Sequence, residues 1–182
     1  MIRKVLLAAV LPAFILIAGS VNANDFRKRK IEVFAVLKSV NEAPTTLSTT
    51  GKGTLKLTID TEAQTIDFEL SYSNLEGSAA PTQAHIHVGQ RHSTGAVVLF
   101  FCSNGAAPAG TQTCPEGPAT ITGTLKAADI LGGAAAAGLP AGAFDELVGL
   151  IRDGDAYANV HTTGFPAGEI RGQTHELSLF GH

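Results

Sequence analysis

Hydrophobic and polar positions alternate with period two through most of residues 30–177, the signature of strands with one buried face. The clearest runs are Gly53 to Asp60, with Leu55, Leu57 and Ile59 on one side, and Thr65 to Ser73, with Ile66, Phe68, Leu70 and Tyr72 on one side. Thr61-Glu62-Ala63-Gln64 between them makes the pair a hairpin. Lys30 to Val40 is β-rich and apolar on both faces, which predicts a well-covered strand. It breaks at Asn41-Glu42-Ala43-Pro44, and Thr45 to Thr50 reads as a polar loop. Ala84 to Val88, Ala96 to Cys102, Ala119 to Lys126, Ala156 to His161 and Glu169 to Leu177 complete a set of about eight short strands.

One stretch changes period. Phe144, Leu147, Val148 and Ile151 recur at i, i+3, i+4 and i+7, a short amphipathic helix stopped by Gly154. Ala127 to Ala143 is built of small residues and reads as a surface crossover. Proline and most of the glycine fall between the runs, and no internal repeat is present. The fold expected is all-β, an antiparallel Greek-key-like β-sandwich of about eight strands with one short helix.

Two of the strands carry candidate chemistry. With Ala84, Ile86 and Val88 facing the core, His85 and His87 share the opposite, outer face. With Ala158 and Val160 facing inward, Tyr157, Asn159 and His161 point outward. In the final hairpin, equal parity sets His161 opposite Glu169, Asn159 opposite Arg171 and Tyr157 opposite Gln173. His175 then falls opposite Asp155, six residues or roughly 20 Å from His161, and reads as an exposed strand-end residue.

The N-terminus changes the composition. Arg3 and Lys4 precede an apolar run from Val5 to Ala18, and Val21-Asn22-Ala23 is a small-residue cleavage pattern. Residues 1–23 therefore read as a secretory signal peptide, followed by a lead-in over 24–29, a domain over 30–177 and a tail over 178–182. Removing the 23 leaves 159 of 182 residues, one domain with a core of ordinary size, and takes the formal charge from −3 to −5. So acidic a chain, with a basic run only at Arg27 to Lys30, has no electrostatic footprint for nucleic acid. No second apolar run is long enough to span a bilayer after signal cleavage. Cys102 and Cys114 in an exported chain predict a disulfide, closing a segment rich in Gly, Ala, Pro and Thr. The protein is expected to be periplasmic or extracellular.

Ala84-His85-Ile86-His87-Val88-Gly89, Tyr157 to Thr162 and Phe165-Pro166-Ala167-Gly168-Glu169-Ile170-Arg171-Gly172-Gln173 together resemble the chordin-type (CHRD) domain. Asn41-Glu42-Ala43-Pro44 is similar to the Glu-x-Pro segment near that family's start. The resemblance spans roughly residues 30–177. It implies an extracellular or periplasmic β-sandwich domain, found as a single exported domain in bacteria, and no settled activity. The His-x-His strand also resembles, in part, the copper site of copper-zinc superoxide dismutase, although that enzyme's bridging histidine and full zinc set find no counterpart here.

The candidate site is His85, His87 and His161 as imidazole ligands, with His92 in a glycine-bounded loop as an optional fourth. Glu169, Asn159 and Arg171 are the candidates to surround it. Neutral imidazoles suit copper or zinc, with copper favoured by its higher affinity for nitrogen donors. A neighbouring carboxylate such as Glu169 commonly fixes an imidazole tautomer. Against this stands the plain alternative that outward histidines bond nearby backbone groups. Glu169 and Arg171 read first as a surface ion network pinning the hairpin, and only second as a ring that holds an anion. There is no nucleophile elbow, phosphate loop or carboxylate pair on which to base catalysis. Three functions follow in order: an exported binding module holding copper or zinc, a copper-dependent redox enzyme, and a metal-free protein-interaction domain.

Overall fold

The computed structural model describes residues 30–133 and 136–177; the expected signal peptide, lead-in and tail lie outside them. The strands are β1 (Lys30–Lys38), β2 (Lys52–Asp60), β3 (Thr65–Ser73), β4 (Gln83–Val88), β5 (Ala96–Ser103), β6 (Ala119–Lys126), β7 (Ala156–His161), β8 (Ile170–Gln173) and β9 (His175–Glu176), with helix α1 (Phe144–Asp153) before β7. They form one antiparallel sheet in the order β5-β4-β7-β8-β1-β2-β3-β6, and β9 also pairs with β1. The sandwich-like layers are therefore two halves of a continuous sheet folded over one core.

Cross-strand rows build that core. Ile31, Ile59 and Ile66 lie opposite one another, as do Val33, Leu57 and Phe68, then Ala35, Leu55 and Leu70. All nine are buried. Phe68 on β3 meets Phe101 on β5 at 4.8 Å between ring centroids, although five strands separate them in the sheet order. Between the two sheet edges, the Gln112 carbonyl accepts from Ser103 on β5 while its side chain donates to the Thr122 carbonyl on β6. The Cys102–Cys114 disulfide, with Cα atoms 5.1 Å apart, holds the same loop to β5.

Local chemistry explains the joins. The β2–β3 hairpin turns on Asp60, whose carboxylate accepts from the backbone N–H of Glu62 and Ala63 at 3.0 and 2.9 Å. Helix α1 buries Phe144, Leu147, Val148 and Ile151 and ends on Gly154 in the left-handed region at φ 79°. Gly172 lets β8 press against β1, since a Cβ there would lie 2.6 Å from the Val36 carbonyl oxygen.

Three expectations change. β1 is not covered on both faces: Ile31, Val33, Ala35 and Leu37 are buried, while Val36 is 45% exposed. The expected final strand breaks at Thr174, whose hydroxyl donates to the Ile151 and Ala156 carbonyls, and beyond it the chain leaves β7 and stays paired with β1 alone. The 127–143 stretch is not a mere surface crossover, because Ile130, Ala136 and Leu139 join the core and Leu131 bonds the edge of β5 through the Val98 carbonyl.

Candidate metal centre

β4 lies between β5 and β7, and β7 lies between β4 and β8, so both histidine-bearing strands are central. Their pairing sets Gln83 opposite His161 and His85 opposite Asn159. His161 is thereby a diagonal neighbour of His85, and His87 lies two residues further along the same face. Ring centroids stand 4.6 Å apart for His85 and His87, 4.5 Å for His85 and His161, and 6.0 Å for His87 and His161. Each ring offers a nitrogen within 4.8 Å of the others.

This face is not open. His85, His87 and His161 are 2%, 8% and 9% exposed. Phe100, directly across on β5, meets His85 edge-on at 5.1 Å. Tyr157 stacks on His87 at 4.6 Å, and its hydroxyl accepts from Gly95 N–H. The 89–95 and 162–168 loops supply the remaining cover. Their carbonyls also set the tautomers: His87 Nδ1–H donates to Gly95 O at 2.9 Å, and His161 Nδ1–H to Pro166 O at 3.0 Å. That leaves Nε2 of each as a lone-pair acceptor. Both atoms, and Nδ1 of His85, are buried with no hydrogen-bond partner.

Burial holds these rings neutral. Desolvation, then the neighbouring His87 and His161, pulls the His85 pKa down to about 2. Desolvation outweighs the raising effect of the Gly95 carbonyl and brings His87 to about 4. His161 is lowered by burial in the same way. A site of uncharged nitrogen donors closed to water is chemically suited to a borderline-soft divalent or cuprous ion.

The expected surrounding residues have other partners. The Glu169 carboxylate is fully buried, but it accepts from the N–H of Glu76 and Gly77 and from the Thr162 hydroxyl. It ties the loop after β3 to the start of β8, while Pro166 O takes the place beside His161 Nδ1. Neither is Arg171 a surface ion-pair partner: its guanidinium lies 3.4 Å over the Tyr157 ring and donates to the carbonyls of Ser93 and Gln90. It thus clamps the loop that covers His87. Asn159 donates to both oxygens of Glu42, and its own Oδ1 is buried without a partner. His92 is exposed, with φ 65°, and stands outside the cluster. His175 is exposed as expected, but it lies opposite Phe34 on β1 and not opposite Asp155, because pairing with β7 ends at Gln173, and it contacts Arg91.

With the site in view, comparison with known proteins is direct. A family model described as the CHRD domain matches residues 33–174. The chain belongs to the CHRD domain family. Neither the curated proteins nor the solved structures returned a match. The matched span holds all three histidines and most of the described core of this CHRD domain.

Glu42 is the residue to which the sequence reading gives no role in the site. It is 6% exposed, and burial raises its pKa to about 7 against the lowering effect of Asn159. Its only sequence signal is its place in the Glu-x-Pro segment. Phe100 sits in an unbroken apolar run, where nothing marks it as the wall of a polar site.

Proposed function

We propose that this CHRD domain is an exported binding module whose His85, His87 and His161 take up a transition-metal ion, copper ahead of zinc. His87 and His161 would bind through Nε2 and His85 through Nδ1. The observation that carries the reading is a cluster of three buried imidazoles, each with a ring nitrogen that has no hydrogen-bond partner and each offering a nitrogen within 4.8 Å of the others. A buried polar atom left unsatisfied costs about 1–3 kcal/mol, so three together make a costly arrangement unless a ligand fills it. Backbone carbonyls that lock imidazole tautomers, as those of Gly95 and Pro166 do here, are a common way to aim imidazoles at a metal. Copper leads because divalent copper exceeds zinc in affinity for such donors.

Export is supported by the apolar leader followed by a small-residue cleavage pattern and by the disulfide. No helix among the described residues is long and apolar enough to cross a membrane. CHRD membership supports a binding role, and the chemistry claimed for the cluster is binding alone.

The test is retention. Protein exposed to cupric or cuprous copper and then desalted should keep about one ion per chain, and His85→Ala/His87→Ala should keep none. Equal retention by the folded double variant would place the metal elsewhere.

A further inference from the structure

The outer face that carries the histidines continues past them. Directly opposed residues form one row across the sheet: Phe100, His85, Asn159, Arg171, Lys38, Lys52 and Ser73. The row is roofed by loops at its histidine end and open at its lysine end, where Lys38 and Lys52 are exposed. Two hollows flank the outward side of Val36 and Lys38. One, of about 530 Å³, has Lys52, Tyr72, Pro118 and Thr120 among its other walls. The second, of about 300 Å³, adds Phe34, Arg91 and His175.

Charge and apolar surface coincide here. Neither hollow has a carboxylate in its lining. Among the described residues, Lys38, Lys52 and Arg91 form no ion pair with an acid. The nearest outward acid along the strands, Glu69, already faces Lys56 two outward rows further down. Of the large hydrophobic side chains exposed among the described residues, Val36 and Val40 flank Lys38, at 45% and 56% exposure. In a chain of formal charge −3, such a concentration of unpaired cations beside bare aliphatic surface is a local inversion of sign. Fixed cations around an apolar centre are complementary to one kind of occupant, a segment in which carboxylates flank aliphatic side chains.

We infer that this face docks an acidic, aliphatic peptide segment of a protein partner, laid across Val36 and Lys38. Aliphatic side chains enter the two hollows, and carboxylates meet Lys38, Lys52 and Arg91. This does not rest on metal binding. It places the partner on the same sheet face as the histidines, with Arg171 between the two.

The experiment uses the metal-free, isotopically labelled protein and two synthetic peptides, one alternating Glu with Leu and the other Gln with Leu. The Glu-Leu peptide should shift backbone amide resonances at Val36–Lys38, Gly53, Arg91 and Ala119. Its affinity should fall about fivefold or more as salt rises through the physiological range. Lys38→Glu/Lys52→Glu should weaken it by about tenfold or more while leaving the thermal midpoint near that of the parent. No shift at millimolar peptide, an equal response to the Gln-Leu peptide, or an unaltered affinity in the folded double variant would each overturn the inference. So would a short single-stranded oligonucleotide producing the same map at the same strength, because that would be a general polyanion response.

Discussion

At the scale of single residues, the buried imidazoles and Glu42 give the metal-free domain two opposed responses to pH. The folded-state pKa values of His85 and His87 lie near 2 and 4, below that of an exposed imidazole. Above about pH 6.5 both states hold these rings neutral, and their contribution is fully present. As pH falls below that, the unfolded chain binds protons that the folded site refuses. Stability should then decline by about 1.4 kcal/mol per pH unit for each ring, until His87 protonates near pH 4. Denaturant titrations between pH 7 and pH 5 check this, and His85→Phe should flatten the slope.

Glu42 has the reverse sign. Its folded pKa of about 7 lies above the ordinary 4.5, so its contribution is present below about 4.5 and is lost as pH rises through 7. Glu42→Gln keeps an acceptor for Asn159 and cannot ionise. The variant should be more stable than the parent at pH 8 by roughly 1–3 kcal/mol, measured by the same titration. Lower stability at pH 8 would show that the ionised carboxylate is favourable where it sits.

Individual elements show how much was legible in the chain. Period two placed β2 and β3 within a residue of their observed ends, because one face of each is core and the other is solvent. Parity, with the pairing begun at His161 and Glu169 across the connecting loop, gave the β7–β8 register, Tyr157 to Gln173 and Asn159 to Arg171, since a slip of one would have buried the wrong face. The same parity could not say what Glu169 and Arg171 bond to. Besides the Thr162 hydroxyl and the Tyr157 ring, their partners are backbone groups of loops distant in sequence, at Glu76, Gly77, Gln90 and Ser93, and backbone groups leave no mark in a side-chain pattern. β7 shows the limit most clearly. It alternates polar and apolar, yet all six of its residues are buried because loops roof its polar face.

Those roofing loops carry predictions of their own. Arg171→Lys retains the charge but not the fork that reaches two carbonyls, nor the same cover over Tyr157. Amide exchange across residues 89–95 should quicken by about tenfold or more, with far smaller changes in β2 and β3. Gly95→Ala would drive a methyl into the Val88 carbonyl and displace the acceptor of His87 Nδ1. It should weaken copper retention although it touches no proposed ligand atom. Unchanged exchange and retention in both variants would mean that the loop does not organise the site.

For the whole molecule, one folded-over sheet supplies both a core and a polar outer layer. The aliphatic rows of β1, β2 and β3 face inward, and the row from Phe100 to Ser73 runs across the outside. Amphipathic alternation made the first of these readable. The second required knowing that β8 adjoins β1, a non-local pairing that closes the sheet beside Lys38. If the histidines bind metal only in the folded state, copper at about 100-fold over its dissociation constant should stabilise the domain by about 2.7 kcal/mol. For a chain of this size that corresponds to a rise of roughly 5–10 °C in the thermal midpoint, absent in His85→Ala/His87→Ala.

The most direct test of the three-histidine centre is X-ray absorption at the copper edge of the loaded, desalted protein. A metal ligated by all three rings should show three imidazole nitrogens at about 2.0 Å, which sets the nitrogens about 3.3–3.6 Å apart. The rings would then need to close only modestly from their present separation of up to 4.8 Å. A spectrum with three imidazole scatterers that is lost in His85→Ala/His87→Ala is the predicted result. A first shell of oxygen without imidazole, or an imidazole signal unchanged in that variant, would contradict it.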